Sequence, residues 1–195
     1  MIRMMRLCLP FYVAAALLVA GDSIPGRPSG PFVVDPAQTK VEFTLSDTLH
    51  TVHGTFQLTS GTLTLDPATG KASGELVVDA RSGDSESKAR DKRMHANILE
   101  SQKYPQIAFR PDRVDGKLAL EGKSQVQLHG MFSIHGAEHE INVPAFVEAA
   151  GSQYNVTAIF PVPYVEWGMK NPSNLILRVG DTVEISVHAV ATAAK

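Results

Sequence analysis

The 195-residue sequence predicts an all-β fold with one short helical insertion. Three observations carry this. Apolar and polar residues alternate with a period of two through most of the chain, as half-buried strands require. The runs are joined by short polar or glycine-bearing links, HGAE at 135–138 and AAGS at 149–152, which suit antiparallel hairpins. One densely charged stretch, KARDKRMHANILESQKYPQIAF from Lys88 to Phe109, breaks the pattern. About eight strands in such an order close into a barrel or pack as a sandwich.

The chain opens with Arg3 and Arg6, followed by an apolar run from Leu7 to Ala20 that Pro10 interrupts, and small residues at Ala20 and Gly21. This is the layout of a cleaved secretory signal peptide over residues 1–21; the run is too short to span a bilayer. The alternative is a short anchor that is never cleaved. Residues 22–31, DSIPGRPSGP, form a flexible leader rich in turn residues. The folded domain is expected over 32–192, with a periplasmic or secreted location and no stable membrane span once the signal is removed. The one cysteine, Cys8, lies within the apolar run, too early to be the lipidated cysteine of a lipoprotein. The mature chain therefore has no disulfide, no thiolate nucleophile and no cysteine metal ligand. Eighteen Lys and Arg stand against twenty Asp and Glu, so losing Arg3 and Arg6 leaves an acidic chain. Without a cluster of basic residues, nucleic acid is not an expected partner.

Within the domain, Val41, Phe43 and Leu45 alternate with Glu42, Thr44 and Ser46. Thr62–Leu65 and Gly74–Ala80 read as a hairpin around DPATG at 66–70, where Asp, Pro and Gly each favour a turn. Further strands are expected over Gln106–Val114, Ser124–His135, Glu138–Glu148, Gln153–Val162 and Thr182–Ala191. Val126, Leu128, Phe132 and Ile134 share one face, and so do Tyr154, Val156, Ala158 and Phe160, leaving a dry and a wet side on each strand. For the charged stretch, Asp84 or Ser85 can cap a helix whose apolar residues Ala89, Met94, Ile98 and Leu99 face the sheet. Lys103-Tyr104-Pro105 ends the helical part, because a residue before proline avoids α geometry. Such a helix covers a barrel mouth, either as a plug or as a cover over a ligand.

Seven histidines raise a metal hypothesis. The densest group, HGAEHE at 135–140, falls in a turn and lacks the HExxH order of helical zinc sites. His50 and His53 lie near a strand end, and His129 points outward. No GxSxG elbow and no phosphate-binding glycine loop is present. Arg90 beside Asp91 reads as a structural ion pair ordering the helix or as a contact for a polar ligand head. The sequon at Asn155-Val156-Thr157 is read as chance. The remaining feature is an aromatic interior spread over many strands: Phe43, Phe56, Phe109, Phe132, Phe146, Phe160, Tyr154 and Trp167. A small barrel is filled by such side chains, whereas a wider one leaves a ligand cavity.

Five stretches, FVVDPAQTKVEFTL, VHGTFQLTSGTLTLD, KARDKRMH, KYPQIAF and EWGMKNPSN followed by VGDTVEISV, occur in an order that resembles the YceI-like family over about Phe32 to Ala191. The resemblance implies an extended antiparallel β-barrel of lipocalin-like type, exported to the periplasm. It further implies a carrier of long apolar molecules such as polyisoprenoids, isoprenoid quinones or fatty-acid-like lipids, with the helix as a lid. The family pattern Arg-Asp-x-His-Leu is met by Arg90 and Asp91, but Arg93 stands in the histidine position, Met94 in that of leucine, and His95 follows one place late.

The expectation is thus a non-catalytic, lipid-binding (polyisoprenoid-binding) carrier without a cofactor or metal. Phe43, Phe56, Phe109, Phe132, Phe160, Trp167 and Met94 would line or border the cavity, and Arg90, Asp91 and His95 would be head-group candidates. Two other readings stand beside it: a metal-dependent enzyme using the histidines, and a filled barrel acting as a protein-interaction module in the envelope. A homodimer is compatible with such a barrel, although the sequence shows no seam for one.

Overall fold

In the computed structural model, which describes residues 31–66, 68–175 and 177–194, the period-two runs become nine strands. They are β1 (Phe32–Val34), β2 (Lys40–Ser46), β3 (Thr51–Leu65), β4 (Ala72–Asp84), β5 (Gln106–Gly116), β6 (Gly122–Ile134), β7 (Ala137–Ala150), β8 (Gln153–Val162) and β9 (Val183–Ala193). Every pairing is antiparallel. β1 and β2 occupy one place in the sheet, since both lie between β3 and β9. A single 3-10 turn at Pro36–Gln38 separates them, capped by the Asp35 carboxylate, which accepts from the Ala37 amide at 2.9 Å. The remaining pairings run in sequence order from β3 to β9, and β9 pairs with β2, so the sheet closes as an eight-position barrel. Among the described residues, every place in the sheet is paired on both sides, although β4 and β5 meet only over Leu76–Asp79 and Gln106–Phe109.

The hairpins follow from turn chemistry. His135 and Gly136 join β6 to β7 with φ of 53° and 78°, the double positive φ of a two-residue turn whose twist matches the strands. At the β3–β4 turn, the Asp66 carboxylate accepts from the Ala68 amide and the Thr69 hydroxyl, and Gly70 takes φ 70°. The charged stretch gives α1 (Lys88–Arg93), which runs directly into one π-helical turn at Met94–Ile98. There the Leu99 amide donates to the Met94 carbonyl, five residues back.

Several expectations need correction. Neither Asp84 nor Ser85 caps α1: Ser87 takes the N-cap position without a side-chain bond, and the Asp84 carboxylate instead accepts from the Glu86 amide. The helical part ends at Ile98, before Lys103, because Glu100 at φ 45° has already left it. Met94, Ile98 and Leu99 face inward, but Ala89 is exposed, since the wide π turn resets the apolar stripe. β3 begins at Thr51, well before the expected Thr62. Phe146 is not interior: it is 53% exposed, because Val143, Ala145 and Val147 take the inward parity of β7. The expected signal peptide and leader lie outside the described residues apart from Pro31. Among the described residues, no helix is long and apolar enough to cross a membrane.

Candidate functional site

The barrel encloses an apolar cavity of about 270 Å³. All nine strands and the π-helical turn contribute to its wall. It runs from Phe32 and Tyr154 at one end to Leu99, Tyr164 and Met169 at the other, where the β2–β3, β4–β5, β6–β7 and β8–β9 connections gather. Two of the hydroxyls on the wall turn to backbone. Thr39 Oγ1 donates to the Asp35 carbonyl at 2.7 Å, and Tyr164 OH donates to the Gly180 carbonyl at 2.8 Å. Burial, with a smaller contribution from Asp181, pushes the Tyr164 phenol up to about 12, so it stays a neutral donor.

Phe43, Phe56, Phe109, Phe132, Phe160 and Met94 all lie on this wall. Two glycines make room for three of them, Phe43, Phe56 and Met94. A methyl group on Gly54 would fall 2.3 Å from the Phe43 ring, and one on Gly83 would fall 2.6 Å from Phe56 and 2.8 Å from Met94. The backbone is bare where these side chains cross it. Phe132 meets Phe160 edge-on at 6.1 Å and Trp167 at 5.8 Å. Trp167, in the β8–β9 connection, packs against the interior cluster but stands outside the cavity wall itself.

Arg90, Asp91 and His95 are placed differently. Ser85, only 2% exposed, is held by both charged residues: its amide and hydroxyl donate to Asp91 Oδ1 at 2.9 and 2.5 Å, and Arg90 donates to its hydroxyl and carbonyl oxygens at 2.8 and 2.7 Å. The pair fixes the corner between β4 and α1. His95 Nε2 donates to the Gly83 carbonyl at 2.9 Å, and its Nδ1 lies 3.1 Å from the Ser101 hydroxyl. These polar atoms are engaged with the end of β4 and within the β4–β5 connection, and none of the three residues lies on the cavity wall. The far end of that connection is tied to the β6–β7 turn. Glu100 pairs with His135 at 2.9 Å, and the Tyr104 ring packs where a side chain at Gly136 would stand.

The histidines of HGAEHE are separated by the hairpin. His135 sits in the turn, and His139 sits on β7 opposite Phe132. His139 lies two residues before Ile141 and four before Val143, on the inward row of β7. Its ring stacks on Trp167 at 4.0 Å and 6°. Its Nε2 is shut off from solvent and has no hydrogen-bond partner among the described residues. Burial lowers the imidazole below the usual histidine range. That inward parity is the sequence signal by which His139, weighed only as a metal ligand, could have been assigned to the interior.

On the outer face, Asp112 and Glu140 take opposite nitrogens of His129 at 2.6 and 2.7 Å. First Asp112 and then Glu140 raise its pKa. The two carboxylates flank the ring and do not converge on one point. Among the described residues, no group of three or more His, Cys, Asp or Glu is arranged to hold a metal.

Comparison with known proteins agrees with this architecture. A YceI-like domain profile matches residues 32–191. The crystal structure of Burkholderia cenocepacia BcnA superposes with TM-score 0.68 at 22% identity, covering 82% of this chain and 99% of the other. A polyisoprenoid-binding domain from Saccharophagus degradans, implicated in plant cell wall breakdown, gives 0.66 at 18% identity, covering 84% and 98%. The Campylobacter jejuni YceI protein gives 0.57 at 15%, covering 70% and 81%. At these identities the structural likeness establishes the fold. A search of curated proteins found no match.

Proposed function

The chain belongs to the YceI-like domain family, and from that premise we propose that it is a non-catalytic carrier that sequesters the tail of a long-chain isoprenoid or fatty-acid-like lipid inside its barrel, acting in the periplasm after export. One observation carries the reading: the apolar cavity, open space of about 270 Å³ in an interior that close packing would otherwise fill. Each methylene moved from water into such a space gains about 0.8 kcal/mol, so a chain is held with few polar contacts. The polyisoprenoid-binding character of the Saccharophagus degradans domain, which shares the fold, supports an isoprenoid class of ligand. Met94, Ile98 and Leu99 close one end of the cavity from a segment anchored through Ser85 and Glu100, an arrangement suited to a lid.

Native mass spectrometry of protein purified from its own envelope, followed by organic extraction, tests this. A co-purifying isoprenoid or fatty chain is expected. An apo mass, with no lipid regained from an envelope extract, would overturn the carrier reading in favour of a barrel acting through its outer surface.

A further inference from the structure

His139 carries an observation that neither the barrel wall nor the hairpins explain. A buried ring nitrogen without a partner is rare in folded proteins, and where it occurs it generally awaits a water, an ion or a ligand. Here the Nε2 belongs to a ring stacked face to face on Trp167 at 4.0 Å. The residue opposite it in register, Phe132, is part of the cavity wall. His139 itself is not on that wall; it is the neighbour of Phe132 across the β6–β7 pair, at the end that carries the lid, so a head group meets its nitrogen where the chain passes the Phe132 ring. We propose that His139, backed by Trp167, is the recognition point for an uncharged oxygen-bearing head, a hydroxyl or carbonyl, on the chain bound in the barrel. This rests on the carrier reading.

Two arguments select an uncharged head over a phosphate or carboxylate. Burial disfavours the charged imidazole, so the site favours a hydrogen bond over an ion pair. The side chains around it, Phe132 and Trp167 together with Ile134 and Ile141 on the neighbouring inward positions, bring no cation. Three cations near this end are already engaged. Arg110 is taken by Glu75 and Glu138 on the outer face, Arg90 by Ser85, and Lys103 lies over the Tyr104 ring. Lys88, Lys92, Arg93, Lys170 and Arg178 are exposed. An anionic head brought beside His139 would lose its hydration with no opposite charge in return. An alcohol or quinone-type oxygen loses little and satisfies the orphan nitrogen. The neutral ring can accept from a hydroxyl or donate to a carbonyl, according to its tautomer.

Delipidated protein titrated with farnesol, farnesyl diphosphate and the headless hydrocarbon of the same skeleton tests the assignment. Farnesol is expected to bind about 5- to 150-fold more tightly than the hydrocarbon, the range for satisfying one buried polar group. The diphosphate is expected to bind more weakly than farnesol. His139→Phe, which keeps a ring against Trp167, should reduce the alcohol-to-hydrocarbon ratio to near one while leaving hydrocarbon affinity in place. His139→Gln should keep part of the preference, and it decides the matter if the phenylalanine variant does not fold. An unchanged ratio in a folded variant, or a diphosphate bound more tightly than the alcohol, would overturn the head-group assignment and leave the carrier reading intact. Failure of all three probes to bind would overturn both.

Discussion

Phe132 on β6 and Trp167 in the β8–β9 connection meet at 5.8 Å between ring centroids, tilted by 43°, although they lie on opposite sides of a hairpin and a further strand. Through this contact the wall of the cavity is continuous with the β8–β9 connection. Phe132 also meets Phe160 edge-on, so a single ring ties the interior of β6 to that of β8 and to the loop beyond it.

Phe132 is therefore the position at which a charge should do most harm to lipid binding. Phe132→Asp places a carboxylate on an apolar wall, where an unpaired charge is strongly disfavoured. We expect loss of detectable chain binding in a variant whose far-ultraviolet circular dichroism is unchanged. Wild-type affinity in that folded variant would show that the tail does not pass this ring.

Chain length offers a second test. Affinity across a series of linear alcohols should rise about fourfold per methylene, the equivalent of ~0.8 kcal/mol, until the chain fills the cavity. Beyond that length the slope should fall, because added methylenes must displace wall side chains or emerge past the lid. Calorimetric titration of the series measures the break. A slope that never breaks would mean that the barrel widens around its ligand.

Asp91 should behave as a structural residue. Asp91→Ala leaves the buried Ser85 amide and hydroxyl without their acceptor, which should lower stability by about 1–3 kcal/mol in urea unfolding. Affinity for an uncharged chain should be unaltered under conditions where the variant is folded. Normal stability with lost binding would reverse the assignment and return the Arg90–Asp91 pair to a head-group role.

The His129 cluster predicts a pH dependence. Asp112 and Glu140 raise its folded pKa above the unfolded value. The contribution is fully present below the unfolded histidine pKa and is lost as pH rises through the folded one. The stability difference between wild type and His129→Gln should therefore be largest in mildly acidic solution and shrink as the medium becomes alkaline. Urea midpoints for both proteins across that range read it directly. A difference that grows with pH would contradict the ion-pair geometry.

Much of the barrel was legible in the sequence because a strand buried on one face leaves its period in the residues. Val183, Ile185 and Val187 on β9, or Tyr154, Val156 and Ala158 on β8, are inward in the structure as their alternation required. The hairpin at HGAE was legible for a local reason, glycine in a two-residue turn. The start of β3 was less so: threonines, glutamine and glycine dilute the alternation between Thr51 and Gly61, and the strand is held there by pairing with β2 and β4. Phe146 shows the opposite failure, where an apolar residue type outweighed a parity that placed it outside.

The sequence by itself determined the strands, their inward faces and the apolar character of the interior, because these depend on residues two apart. Only the tertiary structure decided what surrounds the cavity and which polar groups remain unpaired, because those depend on contacts between distant segments. Arg90 and Asp91, adjacent in the chain and suggestive of a ligand, are consumed by Ser85. His139, unremarkable within its hexapeptide, is met by Trp167 from the β8–β9 connection and left with a free nitrogen among the described residues. Burial removes the water that would otherwise satisfy that nitrogen, and burial is a property of the closed barrel rather than of any local stretch of chain.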